Sequence, residues 1–179
     1  CSVVSFIDRQ IINLLVEELR RDLGLSDTAI GLLQGLSFAL FYAACAVPLG
    51  RLADVSNRKR LIAAGMGVWT AATALCGVAG NFAQLFCARM LVGAGEATLT
   101  PSTYSMIADL FRPQRLALPC GVYAGSSFIG SGVALLLGGM ILAQLARSGP
   151  VVLPLVGELK IWQAAFLCAA ALSSVVIVL

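Results

Sequence analysis

Charged residues in this chain fall into short clusters separated by long apolar runs. Residues 29–50, 61–88, 116–146 and 161–179 carry no charge. A spanning helix needs about 20 predominantly apolar residues, so each run is about long enough to cross a bilayer. The run 61–88 is broken by Gly80-Asn81, which divides it between two helices joined by a very short turn. The pattern predicts six spans: the chain start to about Leu19, Thr28 to Leu52, Leu61 to Gly80, Phe82 to Leu110, a fifth within 116–146, and Ile161 to Leu179. All six are expected to be helices, because a segment in lipid must satisfy its own backbone groups. Ser26-Asp27-Thr28 is an N-cap cluster for the second span. Arg112-Pro113-Gln114-Arg115 separates the fourth from the fifth. The longest connection, 147–160, contains Pro150, Pro154 and two glycines. The chain opens at Cys1 with no signal-peptide pattern, and the first span reads as truncated at its start.

Composition agrees with a membrane class. Of 179 residues, 59% are hydrophobic and 12% charged, about half the roughly 25% usual in soluble domains. Mean hydropathy is +0.93. A net charge of +3 is too small and too dispersed for a nucleic-acid partner. The absence of histidine removes His-liganded metals and Ser-His-Asp chemistry, and no nucleophile elbow or P-loop is present. No enzyme activity, catalytic residue, metal or cofactor is expected. Cys1, Cys45, Cys76, Cys87, Cys120 and Cys168 form no C-x-x-C pair and read as small buried hydrophobes.

Charge also sets orientation. Connections 51–60 and 109–115 together hold six Lys/Arg, whereas 17–28 and 147–160 hold four and the turn at 80–81 none. The bias places the first two connections in the cytoplasm. Glycines at Gly31-x-x-x-Gly35, Gly121-x-x-x-Gly125, Gly93-x-Gly95 and Gly130-x-Gly132 offer small faces for close helix packing.

Four ionisable residues, Asp8, Arg9, Arg89 and Glu96, lie inside predicted spans. Each costs roughly 2.5–3.5 kcal/mol at the bilayer centre on insertion scales, and such residues usually face a bundle interior or a wet cavity. Arg89 and Glu96 are seven residues apart and share a helix face. If spans 1–3 and 4–6 are two repeats, the first helix of each carries an acid and an arginine, and repeat-built transporters place their sites on corresponding helices near the midplane. Two readings fit: an ion-pair set that packs six helices, or a cavity with a cation for an anionic substrate and a carboxylate that takes a proton. Glu96 is the better proton candidate, because the neighbouring Arg9 would favour a charged Asp8.

The segment Gly50-Arg51-Leu52-Ala53-Asp54-Val55-Ser56-Asn57-Arg58-Lys59-Arg60-Leu61 packs four cations and one carboxylate between two spans. Gly50, Leu52, Ala53, Asp54, Arg58 and Lys59 resemble the loop 2–3 motif of the major facilitator superfamily. Val55 stands where a basic residue is common, and Asn57 where glycine is common. Asparagine tolerates the left-handed backbone, so that turn is expected to survive. Asp8-Arg9, Asn57-Arg58-Lys59, Arg89-x-x-Val92-Gly93-x-Gly95-Glu96-Ala97, Ile107-Ala108-Asp109-Leu110-Phe111 and Gly130-Ser131-Gly132 look most like the spinster branch and its bacterial relatives. The fifth span lacks the Gly-Pro pair of the drug-antiporter motif.

The resemblance implies an all-α membrane protein in which residues 1–179 form the N-terminal six-helix bundle, a 3+3 inverted repeat, of a twelve-helix fold whose C-terminal half lies outside this chain. It implies a secondary active transporter working by alternating access in the plasma (bacterial inner) membrane, proton-linked, carrying an amphipathic or anionic small molecule such as a lysolipid. Arg9 would face the cavity, Glu96 would take the proton, Arg89 would support the site, and Asp8 would belong to the same pathway. Gly50, Asp54, Arg58 and Lys59 would form the cytoplasmic latch. The expected partners are the bilayer, the substrate, protons and the C-terminal half. Carriage of organic anions or sugar acids, or a non-transporting membrane scaffold, remain alternatives.

Overall fold

The computed structural model describes residues 2–148, 151–153 and 157–178, which form six helical rods. The first rod is α1 (Ser2–Leu14) followed by α2 (Val16–Leu23). The second is α3 (Asp27–Gly31), a π-helical turn at Leu32–Leu36, and α4 (Ser37–Val55). The third is α5 (Arg58–Val78). The fourth is α6 (Phe82–Glu96) and α7 (Leu99–Leu110). A 3₁₀ turn at Pro113–Arg115 leads to the fifth, α8 (Ala117–Ser148), and α9 (Ile161–Val178) is the sixth. The stretches 27–55, 58–78 and 117–144 are long and apolar enough to cross a membrane by length and composition alone. The first and fourth rods are interrupted and carry the ionisable residues.

Local chemistry explains the rod ends. Gly24 adopts a left-handed φ of 62° after α2, where a β-carbon would be strained. The Ser26 hydroxyl accepts from the Ala29 N–H at 3.3 Å, as the cap cluster predicts. Asn81 caps α6 by accepting from Gln84 N at 2.9 Å. Asn57 corrects its expectation. Its φ is −72°, not left-handed, and its side chain instead caps α5 by accepting from Arg60 N at 3.2 Å. The long connection before the sixth rod contains an antiparallel pair, β1 (Val151–Leu153) and β2 (Gly157–Leu159), with Val152 opposite Glu158. The Val-Val-Leu run favours extended backbone. Gly149, Pro150 and Pro154 of that connection, together with Cys1 and Leu179, lie outside the described residues.

Packing follows a repeat. The first rod packs on the fifth and the second on the fourth, through α1–α8 and α4–α6. The third rod contacts the sixth, and also the fourth through α5–α6; α9 lies against α1. Exchanging rods 1–3 with rods 4–6 maps the first pairing onto the second and the third–sixth contact onto itself. Rods 1, 3, 4 and 6 enclose the core, where Trp69, Trp162, Phe166, Leu15 and Leu85 are buried. Large apolar side chains of α8, including Leu118, Phe128 and Leu136, point outward. Among the described cysteines, all free, Cys76 is buried as expected, whereas Cys87 and Cys168 are exposed.

The glycine expectation holds in part. A β-carbon on Gly65 would lie 1.9 Å from Thr98 Oγ1 and 2.8 Å from the Gly95 carbonyl oxygen, and one on Gly95 would lie 2.7 Å from Trp69 N. Backbones of α5 and α6 therefore touch. Gly93 approaches the Phe38 carbonyl oxygen at 2.6 Å in the same sense, and Gly130 approaches Phe6 at 3.2 Å. The pairs Gly31/Gly35 and Gly121/Gly125, and also Gly132, meet nothing within 4 Å. Their rods present these faces outward, so they make no close helix contact here. Gly95→Ala should therefore cost about 1–3 kcal/mol through overpacking, while Gly31→Ala should change stability by less than about 0.5 kcal/mol. Thermal unfolding in detergent reads both, and equal effects would overturn the assignment of the contact seam.

Candidate functional site

Successive helical residues are rotated by about 100°, so the neighbours Asp8 and Arg9 cannot share a face of α1. Arg9 lies one turn beyond Ser5, and both reach Glu96 at the end of α6. The Glu96 Oε2 accepts from Arg9 Nε at 2.7 Å and from Ser5 Oγ at 2.8 Å. Glu96 is 1% exposed, and its Oε1 has no hydrogen-bond partner. Arg9 keeps 31% of its side chain exposed, so the pair joins a buried anion to an accessible cation. Its guanidinium lies 4.5 Å from the Phe38 ring centroid, 5.3 Å from Tyr42 and 5.4 Å from Phe6. Aromatic faces attract a cation with about 0.5–2 kcal/mol each.

Asp8 turns the other way, into the protein. It is 1% exposed; Ser173 of α9 donates to its Oδ2 at 3.4 Å, and Oδ1 has no partner. Arg89 is also buried and donates from NH1 to the Asp8 backbone carbonyl at 3.2 Å. The Phe38 ring lies 5.8 Å from Arg89 and is thus near both guanidinium groups. The π turn immediately precedes Phe38, and Ser37 donates to the Leu33 carbonyl at 2.7 Å. Such turns alter the aim of the helix that follows. One sequence expectation changes: the arginine beside Asp8 pairs with Glu96 instead.

A cavity of about 370 Å³ opens beside the Arg9–Glu96 pair, between rods 1, 2, 4 and 5. Glu96, Thr100 and Tyr104 follow at single-turn spacing, so the cavity runs from the ion pair toward the basic end of the bundle. Tyr42 donates to Thr100 Oγ1 at 3.0 Å. Tyr104 and Tyr123 meet edge to face at 5.1 Å, and Phe128 adds a further aromatic wall. One side thus offers a guanidinium, a carboxylate and a hydroxyl, and the other offers aromatic surface. Sequence reading missed this aromatic lining; the one-turn spacing of Phe38 and Tyr42, and of Phe6 ahead of Arg9, was the available signal.

At the basic end, Arg58 pairs with Asp109 at the end of α7, and its Nε donates to the Ala53 carbonyl at 3.2 Å. Asp54 and Lys59 are exposed and form no ion pair among the described residues. A β-carbon on Gly50 would sit 3.8 Å from Pro101 Cβ, an ordinary contact. The proposed latch residues therefore divide: Arg58 is engaged within this bundle, and Asp54 and Lys59 face outward.

The family model described as Major Facilitator Superfamily matches residues 1–179. The chain belongs to the major facilitator superfamily. It is 36% identical over 141 residues to an MFS-type efflux pump of Mycolicibacterium smegmatis, covering 79% of this chain and 33% of the relative. It is 32% identical over 133 residues to a probable L-galactonate transporter of Escherichia coli (strain K12), covering 74% of this chain and 29% of the relative. A crystal structure of a bacterial homologue of the human lysosomal transporter spinster, inward-facing and unoccupied, superposes with a TM-score of 0.85 at 30% identity, covering 99% of this chain and 39% of that one. The chain spans about a third of the length of the curated relatives it matches. The spinster-like, helix-bundle major facilitator assignment stands, and the family consists of integral membrane carriers, not enzymes.

Removing one partner of a buried ion pair typically costs about 3–5 kcal/mol, because the other charge is left bare. Arg9→Ala should therefore destabilise the protein markedly, and Arg9→Ala/Glu96→Ala should cost less than the sum of the single changes. A double-mutant cycle by thermal unfolding should show a coupling of about 0.5–3 kcal/mol. Additive effects would mean the pair contributes nothing of its own.

Proposed function

We propose that this chain is the N-terminal six-helix bundle of a secondary active transporter of the bacterial inner membrane. A second six-helix half would complete it, and the two would rock around a midplane site to give alternating access. The supporting observation is the Arg9–Glu96 pair at the head of the aromatic-lined cavity.

The pair acts as an exchange device. An anionic group entering the cavity competes with Glu96 for the Arg9 guanidinium, whose planar fork suits carboxylate and phosphate oxygens. Glu96, released into a dry site, then takes a proton in place of the cation, so that little bare charge is buried. Substrate and proton are coupled because both substitute for one ion pair. Arg89 and Asp8 hold the helix behind that pair and keep the local charge balanced. The polar head and aromatic wall fit an amphipathic anion of lysolipid type. At the cytoplasmic end, Asp54 and Lys59 reach for the second half, while Arg58, paired with Asp109, holds their loop in place.

A second reading, carriage of sugar acids or other organic anions, draws support from the relative described as a probable L-galactonate transporter. Binding to lysophosphatidate and to galactonate separates the two. A non-transporting scaffold would keep full pathway activity with all four intramembrane charges neutralised.

Glu96→Gln in proteoliposomes should abolish gradient-driven accumulation while leaving substrate exchange; accumulation at the wild-type rate would remove the proton role. Asp54→Ala should raise labelling of a cysteine introduced on the cytoplasmic side of the cavity. Unchanged labelling would count against the latch.

A further inference from the structure

A second cavity, of about 220 Å³, lies on the other side of Arg9 from the main one. It is lined by Arg9, Gln10, Asn13, Gln34, Phe38 and Arg89. Both intramembrane arginines contribute to its wall, and no carboxylate does. The three amides form a ladder: Asn13 Nδ2 donates to Gln10 Oε1 at 2.7 Å, and Gln34 Nε2 donates to Asn13 Oδ1 at 3.0 Å. These two bonds use two of the six amide N–H groups, so four N–H donors of the ladder are not consumed by them.

The guanidinium groups carry the same bias. Arg89 is 2% exposed, and its Nε has no hydrogen-bond partner, a costly state for a buried charged group. Arg9 gives Nε to Glu96, and its terminal N–H groups are not consumed by that bond. Two guanidinium groups and the amide ladder thus border a small space, with the Phe38 ring 4.5 Å from Arg9 and 5.8 Å from Arg89. The walls of the main cavity differ, because there Glu96 accompanies Arg9.

We propose that the cleft between Arg9, Arg89 and the Gln10–Asn13–Gln34 ladder binds a small monovalent anion, chloride or a halide of similar size. The volume suits an ion with part of its water shell. The anion satisfies Arg89 Nε and engages the terminal N–H groups that Arg9 does not give to Glu96. The site is separate from the substrate cavity but shares Arg9 with it, so its occupancy bears on how firmly Arg9 holds Glu96. It does not depend on which cargo the main cavity takes.

The test uses the purified protein in nanodiscs, with sodium chloride replacing sodium isethionate at constant ionic strength. Thermal unfolding followed by intrinsic fluorescence of Trp69 and Trp162 should show a saturable, chloride-dependent rise in midpoint. Gln34→Leu alters an exposed position and should weaken the apparent chloride affinity about tenfold. Arg89→Gln should abolish the response. Bromide in place of chloride should give an anomalous scattering peak beside Arg89 in crystals. A midpoint independent of chloride, a Gln34→Leu protein with wild-type affinity, or a bromide peak confined to the main cavity would each overturn the proposal. Because no step measures transport, a failure of the cargo assignment leaves this result intact.

Discussion

Placing two carboxylates and two guanidinium groups, three of the four buried, inside a membrane bundle is the constraint around which the rest of this structure is arranged. Isolated charges at that depth cost several kcal/mol each, and the arrangement keeps their sum near zero within a few helical turns. Glu96 receives Arg9 and Ser5, while Asp8 receives Ser173 and lends its backbone carbonyl to Arg89. Each group is held from a different rod, so the cluster ties the first, fourth and sixth together. The interruption of the fourth rod after Glu96, with Thr98 Oγ1 donating to the Gly95 carbonyl, lies against this cluster.

The balance is local as well as total. Asp8 faces the protein interior and Arg89 borders the smaller cavity, whereas Arg9 and Glu96 face the larger one, where solvent or cargo can intervene. The aromatic rings of Phe6, Phe38 and Tyr42 hold Arg9 without neutralising it. Cation–π contact keeps a cation in place while leaving its N–H groups available. A carboxylate cage would have fixed the guanidinium more firmly and removed it from exchange.

Much of this was legible in the residue order. Uncharged runs gave the rods, Ser26 and Asn81 marked starts, and the four buried charges stood out because nothing like them occurs elsewhere in the spans. Pairing was harder to read. Asp8 and Arg9 are adjacent in the chain, yet helical rotation sends them to opposite sides, a geometry visible only once the rods are placed. The choice among glycines escaped for the same reason: Gly93 and Gly95 face a neighbouring backbone while Gly31, Gly35, Gly121 and Gly125 face outward, and rod rotation decides which. Asn57 matched a glycine position by conformational tolerance but serves as a cap, because its side chain finds the Arg60 N–H. The Arg58–Asp109 pair joins residues 51 positions apart, which no local pattern encodes.

The glycine seam has a mechanical consequence. Where α5 and α6 meet at Gly65 and Gly95, main chain rests on main chain, with no side-chain layer to slip or re-pack. Interdigitated side chains can shear by changing rotamers, but bare backbones in contact cannot. The third and fourth rods are therefore welded, and the Arg58–Asp109 bridge fastens the end of the fourth to the start of the third. Compliance is left to the outer faces of the second and fifth rods, where Gly31, Gly35, Gly121 and Gly125 have empty space in front of them. The bundle is built as a stiff lever with two smooth bearing surfaces, and any large displacement must occur along those surfaces.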